Sequence, residues 1–166
     1  MLPAAARIAL LWNSGNPTHP LFLKQAQQAA PALGFQIEPL SYRSPAELKD
    51  ALSKTKGADA MYALADPLQF DQRKVIIEFA AAHRLPAVYH HPEEAQEGGL
   101  IAFGFGQREE YRRAAVYVAK ILQGAKPGDL PIEGPRYQLV INLKTAKALG
   151  LTIPQSLLLR ADQVIQ

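Results

Sequence analysis

The chain has 166 residues, 48% hydrophobic and 20% charged, with a formal net charge of +3; this is the composition of one ordinary globular domain and excludes a disordered polar tract. Its 18 basic and 15 acidic side chains are spread over every segment, so no basic patch points to nucleic acid, and zero cysteines exclude disulfides, thiol nucleophiles and thiolate metal sites. No apolar run approaches the roughly 18 residues of a membrane span, and Met1 to Arg7 lacks the basic and apolar regions of a secretory leader, so neither is expected in the chain as given.

Short apolar runs alternate with longer amphipathic segments, the pattern of parallel strands joined by crossover helices. Arg7 to Trp12 reads as the first strand. Pro17 and Pro20 suit the first turn of a helix, after which Leu21, Phe22, Gln25, Ala26 and Ala29 recur at helical spacing up to Leu33, and Gly34 stops it. Phe35 to Leu40 alternates with period two, and Pro39 predicts an edge strand. Ser44, Pro45 and Glu47 form a capping box for a helix that turns Leu48, Ala51 and Leu52 to the core and ends at Gly57. Ala60 to Ala65 is continuously apolar and predicts a central strand buried on both faces.

A third helix is predicted from Leu68 to His83, then short strands at Ala87 to Tyr89 and Leu100 to Phe105. The amphipathic segment Arg108 to Leu122 predicts a helix ending at Gly124, and Lys126 to Pro131 a Pro/Gly-rich linker. Tyr137 to Leu143 reads as a strand, Lys144 to Leu149 as a helix stopped by Gly150, and Ser156 to Ile165 as a final helix. The expected boundaries are a Rossmann-like lobe over 1–106 and a crossover helix with a strand-helix tail over 107–166.

In an open parallel sheet, ligands sit at the carboxyl ends of the strands, where helix N-termini present free N–H groups. That rule selects Asn13, Ser14, Gly15 and Asn16 after the first strand, Asp66 to Leu68 after the third, and His90 to Glu93 after the fourth. Each has a plainer competitor. Asn13 to Asn16 fits turn and capping chemistry, and Asp66 before Pro67 fits a helix N-cap as well as it fits a ligand for an ammonium group.

Covalent chemistry finds no support. A phosphoacceptor Asp66 would need acidic residues after the first strand to hold magnesium, and Trp12, Asn13 and Ser14 supply none. His90 and His91 are adjacent on an extended segment, so their side chains diverge; with Glu93 and Glu94 they read as loop residues rather than a metal site. Gly104, Phe105 and Gly106 lack the third glycine of a dinucleotide fingerprint, and no Walker sequence, nucleophile elbow or zinc-protease pair occurs. The expectation is a protein with no metal, no cofactor and no enzymatic activity.

Five blocks carry a resemblance. They are Arg7 to Asn13, Arg84 to Tyr89, Gly98 to Gly104 followed by Tyr111 to Ala115, Lys120 to Pro131, and Asn142 to Leu151. In this order the chain resembles, nearly end to end, the C-terminal half of the ABC-transporter substrate-binding protein family that includes tryptophan-type amino-acid receptors. The resemblance implies an α/β fold, a Rossmann-like three-layer α/β/α lobe with a mostly parallel sheet, as in one lobe of a type I periplasmic binding protein. Such receptors close two lobes around a small solute and pass it to an ABC permease.

Mapped onto this sequence, the ligand-facing loops implied by the family are Asn13, Ser14, Asn16, Asp66, Tyr89 and His90. The chain has residues for little more than one lobe, with neither a first lobe nor a leader, so it is expected to be cytoplasmic as given and periplasmic if both have been removed. In two-lobed receptors the helix corresponding to Glu109 to Leu122 packs on the first lobe. Its stripe of Tyr111, Ala115, Val118 and Leu122 therefore predicts a homodimer. The leading expectation is a non-enzymatic module for an amino acid or similar small polar solute. The alternatives are a cytoplasmic scaffold or regulatory domain that has lost its ligand, and a small flavodoxin-like enzyme using His90 or His91 as acid or base.

Overall fold

The alternation of strand-length and helix-length segments folds into a single sheet with helices on both faces. The computed structural model describes residues 5–166, so the Met1 to Ala4 part of the leader reading lies outside the described residues. The strands are β1 (Arg7–Asn13), β2 (Gln36–Tyr42), β3 (Ala60–Ala63), β4 (Ala87–Tyr89), β5 (Ile101–Gly104), β6 (Gln138–Asn142) and β7 (Gln163–Ile165). They lie in the order β2-β1-β3-β4-β5-β6-β7. The first five are parallel, β6 runs antiparallel to β5, and β7 is parallel to β6.

The helices are α1 (His19–Ala29), α2 (Pro45–Ser53), α3 (Pro67–Asp71), α4 (Arg73–Ala82), α5 (Pro92–Gln96), α6 (Gln107–Leu122), α7 (Leu143–Leu149) and α8 (Gln155–Leu158). Side chains alternate across each strand, so Ala9, Leu11, Met61, Ala63, Ala87, Tyr89 and Ala102 form one face. There Leu48, Ala51 and Leu52 of α2, Ile76, Ile77 and Ala80 of α4, and Ala95 of α5 complete the main core. A second cluster of Leu100, Ile101, Ile141, Ala146 and Ile153 seats α7 and α8 against β5 and β6. α1 lies on that second face, over β1 and β2.

Several expectations hold for their stated reasons. Pro39 sits on β2, which pairs with β1 alone and tolerates the missing N–H. β3 is flanked by β1 and β4 as expected, but it ends at Ala63, and while Ala60, Met61 and Ala63 are buried, Tyr62 on the other face is only partly so. Ser44 Oγ accepts the Glu47 N–H at 3.2 Å, while Glu47 reaches one residue further back than the sequence predicts and takes the Arg43 N–H at 2.9 Å.

Three expectations are corrected. The Leu68 to His83 helix is two helices, because the backbone of Gln72 leaves helical geometry between α3 and α4. Pro92 to Gln96, expected as loop, is α5, since Pro92 begins it and Glu94 takes the His91 N–H. The final helix Ser156 to Ile165 stops at Leu158. Asp162 then exchanges two hydrogen bonds with Leu139, its carboxylate accepting the Leu139 N–H at 2.7 Å and its own N–H donating to the Leu139 carbonyl at 2.9 Å, so the last residues pair with β6 as β7. α6 stands apart from these layers, since none of its sixteen residues is buried.

Candidate functional site

β1 and β3 are adjacent and parallel, so the loops that leave their carboxyl ends emerge side by side. Asp66 starts α3, its carboxylate Oδ1 accepting the Leu68 N–H at 2.9 Å. The same carboxylate receives Asn13 Nδ2 on Oδ1 at 3.0 Å and Asn16 Nδ2 on Oδ2 at 2.8 Å. The amide oxygens of the two asparagines face their own loop. Asn13 Oδ1 accepts the Gly15 N–H at 2.8 Å, and Asn16 Oδ1 accepts the Thr18 N–H and hydroxyl at 3.0 and 2.8 Å. One carboxylate thus ties two loops together.

Beneath this cluster His19 is buried. The Asn13 N–H donates to His19 Nδ1 at 3.0 Å, which assigns the ring proton to Nε2, and that atom donates to the Ala65 carbonyl at 3.0 Å. Burial pushes the Asp66 carboxyl up, but the amides of Asn16 and Asn13 and the Leu68 N–H together outweigh it and hold the pKa below the ordinary value. Asp66 is therefore a carboxylate at neutral pH. Of its roughly four lone-pair directions, the three named bonds leave one, on Oδ2. Ser14 lies at the open edge, its N–H donating to the Tyr42 carbonyl at 2.9 Å.

The tip of β4 forms a separate cluster. The His90 ring is half-buried and meets Phe105, His91 and Tyr137 edge-on, with ring centres 5.1, 4.9 and 6.3 Å away. Burial, with the charge of His91 second, drives its pKa down to about 4, so the imidazole is neutral at pH 7. Glu94 organises this loop from within. Its Oε2 accepts the N–H groups of His90 and His91 at 3.2 and 2.8 Å, and its Oε1 accepts Gln69 Nε2 at 2.5 Å. Burial raises the Glu94 pKa, opposed by the Gln69 amide and by the His91 backbone and charge. Gln69 Oε1 has no partner among the described residues.

Of the six residues singled out in the sequence, the fold brings Asn13, Asn16 and Asp66 into direct contact and sets Ser14 beside them. His90 belongs to the neighbouring aromatic cluster. Tyr89 points the other way, its buried ring lying against Gly99 in the main core. Sequence reasoning missed His19 and Gln69, and it read Glu94 as a loop residue. For Glu94 a signal existed, since His91, Pro92 and Glu94 have the spacing of a helix N-terminus with an acidic residue at its third position.

The arrangement is a braced set of polar side chains at the strand tips of a Rossmann-like sheet, with no nucleophile and base held in contact among the described residues. The family model of the ABC transporter substrate binding protein matches residues 1–165. The chain belongs to that family. Two solved structures share the fold with TM-scores of 0.83: an ABC domain in complex with L-Trp from Streptococcus pneumonia, at 25% identity, and a conserved domain protein from Vibrio cholerae, at 26%. Each match covers 98% of this chain and 56% of the other. A ligand-free, open substrate binding protein with adhesive properties from Clostridium difficile matches at TM-score 0.70 and 19% identity, over 99% of this chain and 56% of its own. No curated protein matches. This substrate-binding family member therefore spans little more than half the length of the solved structures it resembles, and none of its described helices is long and apolar enough to cross a membrane.

Proposed function

We propose that this chain is a non-enzymatic solute-binding lobe that takes an amino acid or similar small polar molecule at the tips of β1 and β3. The observation that carries the reading is the Asn13–Asp66–Asn16 brace, a charged carboxylate with one uncommitted lone pair at the position where such sheets receive ligands. An ammonium group would complete the Asp66 coordination. Ser14 and Asn16 would meet the ligand's polar end, and the His90 edge, joined to Phe105 and Tyr137, would offer an aromatic wall. The L-Trp bound to the Streptococcus relative supports an amino acid with an aromatic side chain. In this reading Tyr89 acts from the core, by holding the β4 tip.

Within a longer receptor the lobe would close on a second lobe outside the cytoplasm and hand its solute to an ABC permease. Alone it covers about half of a ligand that a closed cleft would bury by roughly 70 to 90%, so a micromolar affinity would fall toward millimolar. The bare α6 stripe supports a second copy as its partner.

A second reading has its own observation. Three bonds already satisfy most of Asp66, which suits a scaffold that keeps the brace for stability and has lost its ligand. A thermal-shift screen with amino acids and aromatic acids at millimolar concentration separates the two. A rise of several degrees that disappears in Asp66→Ala and weakens in Asn16→Ala supports solute binding, whereas a flat response across the set favours the scaffold.

A further inference from the structure

The brace at the tips of β1 and β3 and the aromatic cluster at the tip of β4 are separate in position, and the sheet alone does not join them. The β3–β4 ladder closes at Tyr62 and Val88, so Asp66 and His90 both lie beyond its last pair. What spans the gap is α3. Asp66 caps this helix, and Gln69 follows three residues later, about 4.5 Å along the axis at 1.5 Å per residue. The two residues lie within a single helical turn, so a displacement of one has no flexible segment in which to be absorbed before it reaches the other.

Gln69 and Glu94 are both 0% exposed, so the bond from Gln69 Nε2 to Glu94 Oε1 has no solvent competing for either partner. The other oxygen of that carboxylate takes the N–H groups of His90 and His91. The next residue of α3 adds a second contact. Phe70 meets the buried His91 ring edge-on with centres 4.8 Å apart, and His91 Nδ1 donates to the Phe105 carbonyl at 3.0 Å. Arg73 ties the far end, donating to the Phe70 carbonyl at 2.9 Å and to the Glu97 carboxylate beyond α5 at 2.8 Å. The polar path therefore runs unbroken from Asn16 through Asp66, one turn of α3, Gln69 and Glu94 to the backbone of His90. Packing alone does not call for an amide at position 69, since Gln69 Oε1 is left without a partner among the described residues, a cost that an apolar side chain would not carry. Its contact with Glu94 is what the amide supplies.

We propose that Gln69 is a positioning residue: through Glu94 it holds the His90 loop at a set distance from the Asp66 carboxylate, so that the two ends of the strand-tip site move as one unit. The consequence for a solute rests on the solute-binding reading above, in which the link sets how long a molecule can reach from Asp66 to the aromatic wall. The coupling itself belongs to the chain without a ligand and is tested there.

Amide hydrogen exchange followed by NMR on the 166-residue chain reads the Leu68 N–H, bonded to Asp66, and the His90 and His91 N–H groups, bonded to Glu94. Asp66→Asn should accelerate all three by a common factor of about ten and shift the His90 ring protons, while the Leu151 N–H in the second core cluster keeps its rate. In Gln69→Leu, which keeps an apolar filling of similar bulk, the same change at Asp66 should still accelerate Leu68 but leave His90 and His91 unmoved. Exchanging donor and acceptor, Gln69→Glu together with Glu94→Gln, should restore the shared response, which core filling alone cannot do. Acceleration of Leu68 without His90 and His91 in the otherwise unaltered chain would overturn the proposal, as would equal acceleration of Leu151; neither result needs Gln69→Leu to fold. A His90 response that survives Gln69→Leu would overturn it too. Thermal shift with L-tryptophan on the same samples reports solute binding separately from the coupling.

Discussion

Replacing Asp66 by alanine removes three hydrogen bonds at once, from the Asn13 amide, the Asn16 amide and the Leu68 N–H. The Leu68 bond is a helix N-cap, whose loss costs about 1 kcal/mol. Each amide-to-carboxylate bond is charge-assisted and contributes about 1.5 to 3 kcal/mol net when buried. Asn16 is only half-buried and its amide can turn to water, so the lower figure applies to it and the loop relaxes in part. The three terms total about 4 kcal/mol, and the expected destabilisation after that relaxation is about 3 kcal/mol. Asp66→Asn should cost less, about 1 to 2 kcal/mol, because one amide oxygen can still accept the Leu68 N–H while the NH2 group opposes the Asn16 donor. The pH dependence follows from the lowered pKa: the contribution is full above the ordinary value of about 3.9 and is lost as pH falls below it through the folded value. Urea unfolding of the three proteins at pH 7 and near pH 3 measures this. A loss under 0.5 kcal/mol for Asp66→Ala, or a gap between wild type and variant that does not shrink in acid, would refute the brace as an energetic element.

Glu94 has the opposite sign, since a raised carboxyl pKa means stability rises as pH falls through it. Glu94→Gln should therefore gain on wild type as pH rises above the ordinary carboxyl range in thermal melts, its new NH2 group donating to a turned Gln69 whose Oε1 now lacks a partner. His90 has a folded pKa of about 4, so its contribution is full above the ordinary value of about 6.5 and is lost between there and about 4; proton NMR should place its midpoint near the lower figure. Gly104→Ala would set a Cβ 2.1 Å from the His90 carbonyl oxygen and 2.9 Å from its ring, a clash with backbone that should cost more than about 3 kcal/mol. At Gly124, where nothing lies within 4 Å but φ is +100°, alanine should cost only about 1 kcal/mol; equal melting temperatures for the two variants would contradict the packing argument.

The candidate site was partly legible in the chain because strand tips follow from the order of elements. Asn13, Asn16 and Asp66 were found that way. Nothing in their spacing shows that two asparagine amides converge on one carboxylate, because Asn16 and Asp66 are fifty positions apart and meet only when β3 docks beside β1. Tyr89 follows the same strand-tip rule yet turns to the core, since the pleat sends each successive side chain to the opposite face.

Local chemistry therefore determined much by itself. Pro39 marked the edge, Ser44 and Asp66 the helix starts, the Ala60 run a strand buried between two others, and the zero cysteine count the chemistry available. The tertiary structure alone decided what depends on distant partners. Asp162 turned the end of an expected helix into β7 because Leu139 was there to meet it. Glu94 became the buried post of the His90 loop because Gln69, twenty-five residues earlier, faced it. An amphipathic stripe such as Tyr111 to Leu122 is written in the sequence, but whether its own chain covers it is a matter of which surfaces the fold brings within reach.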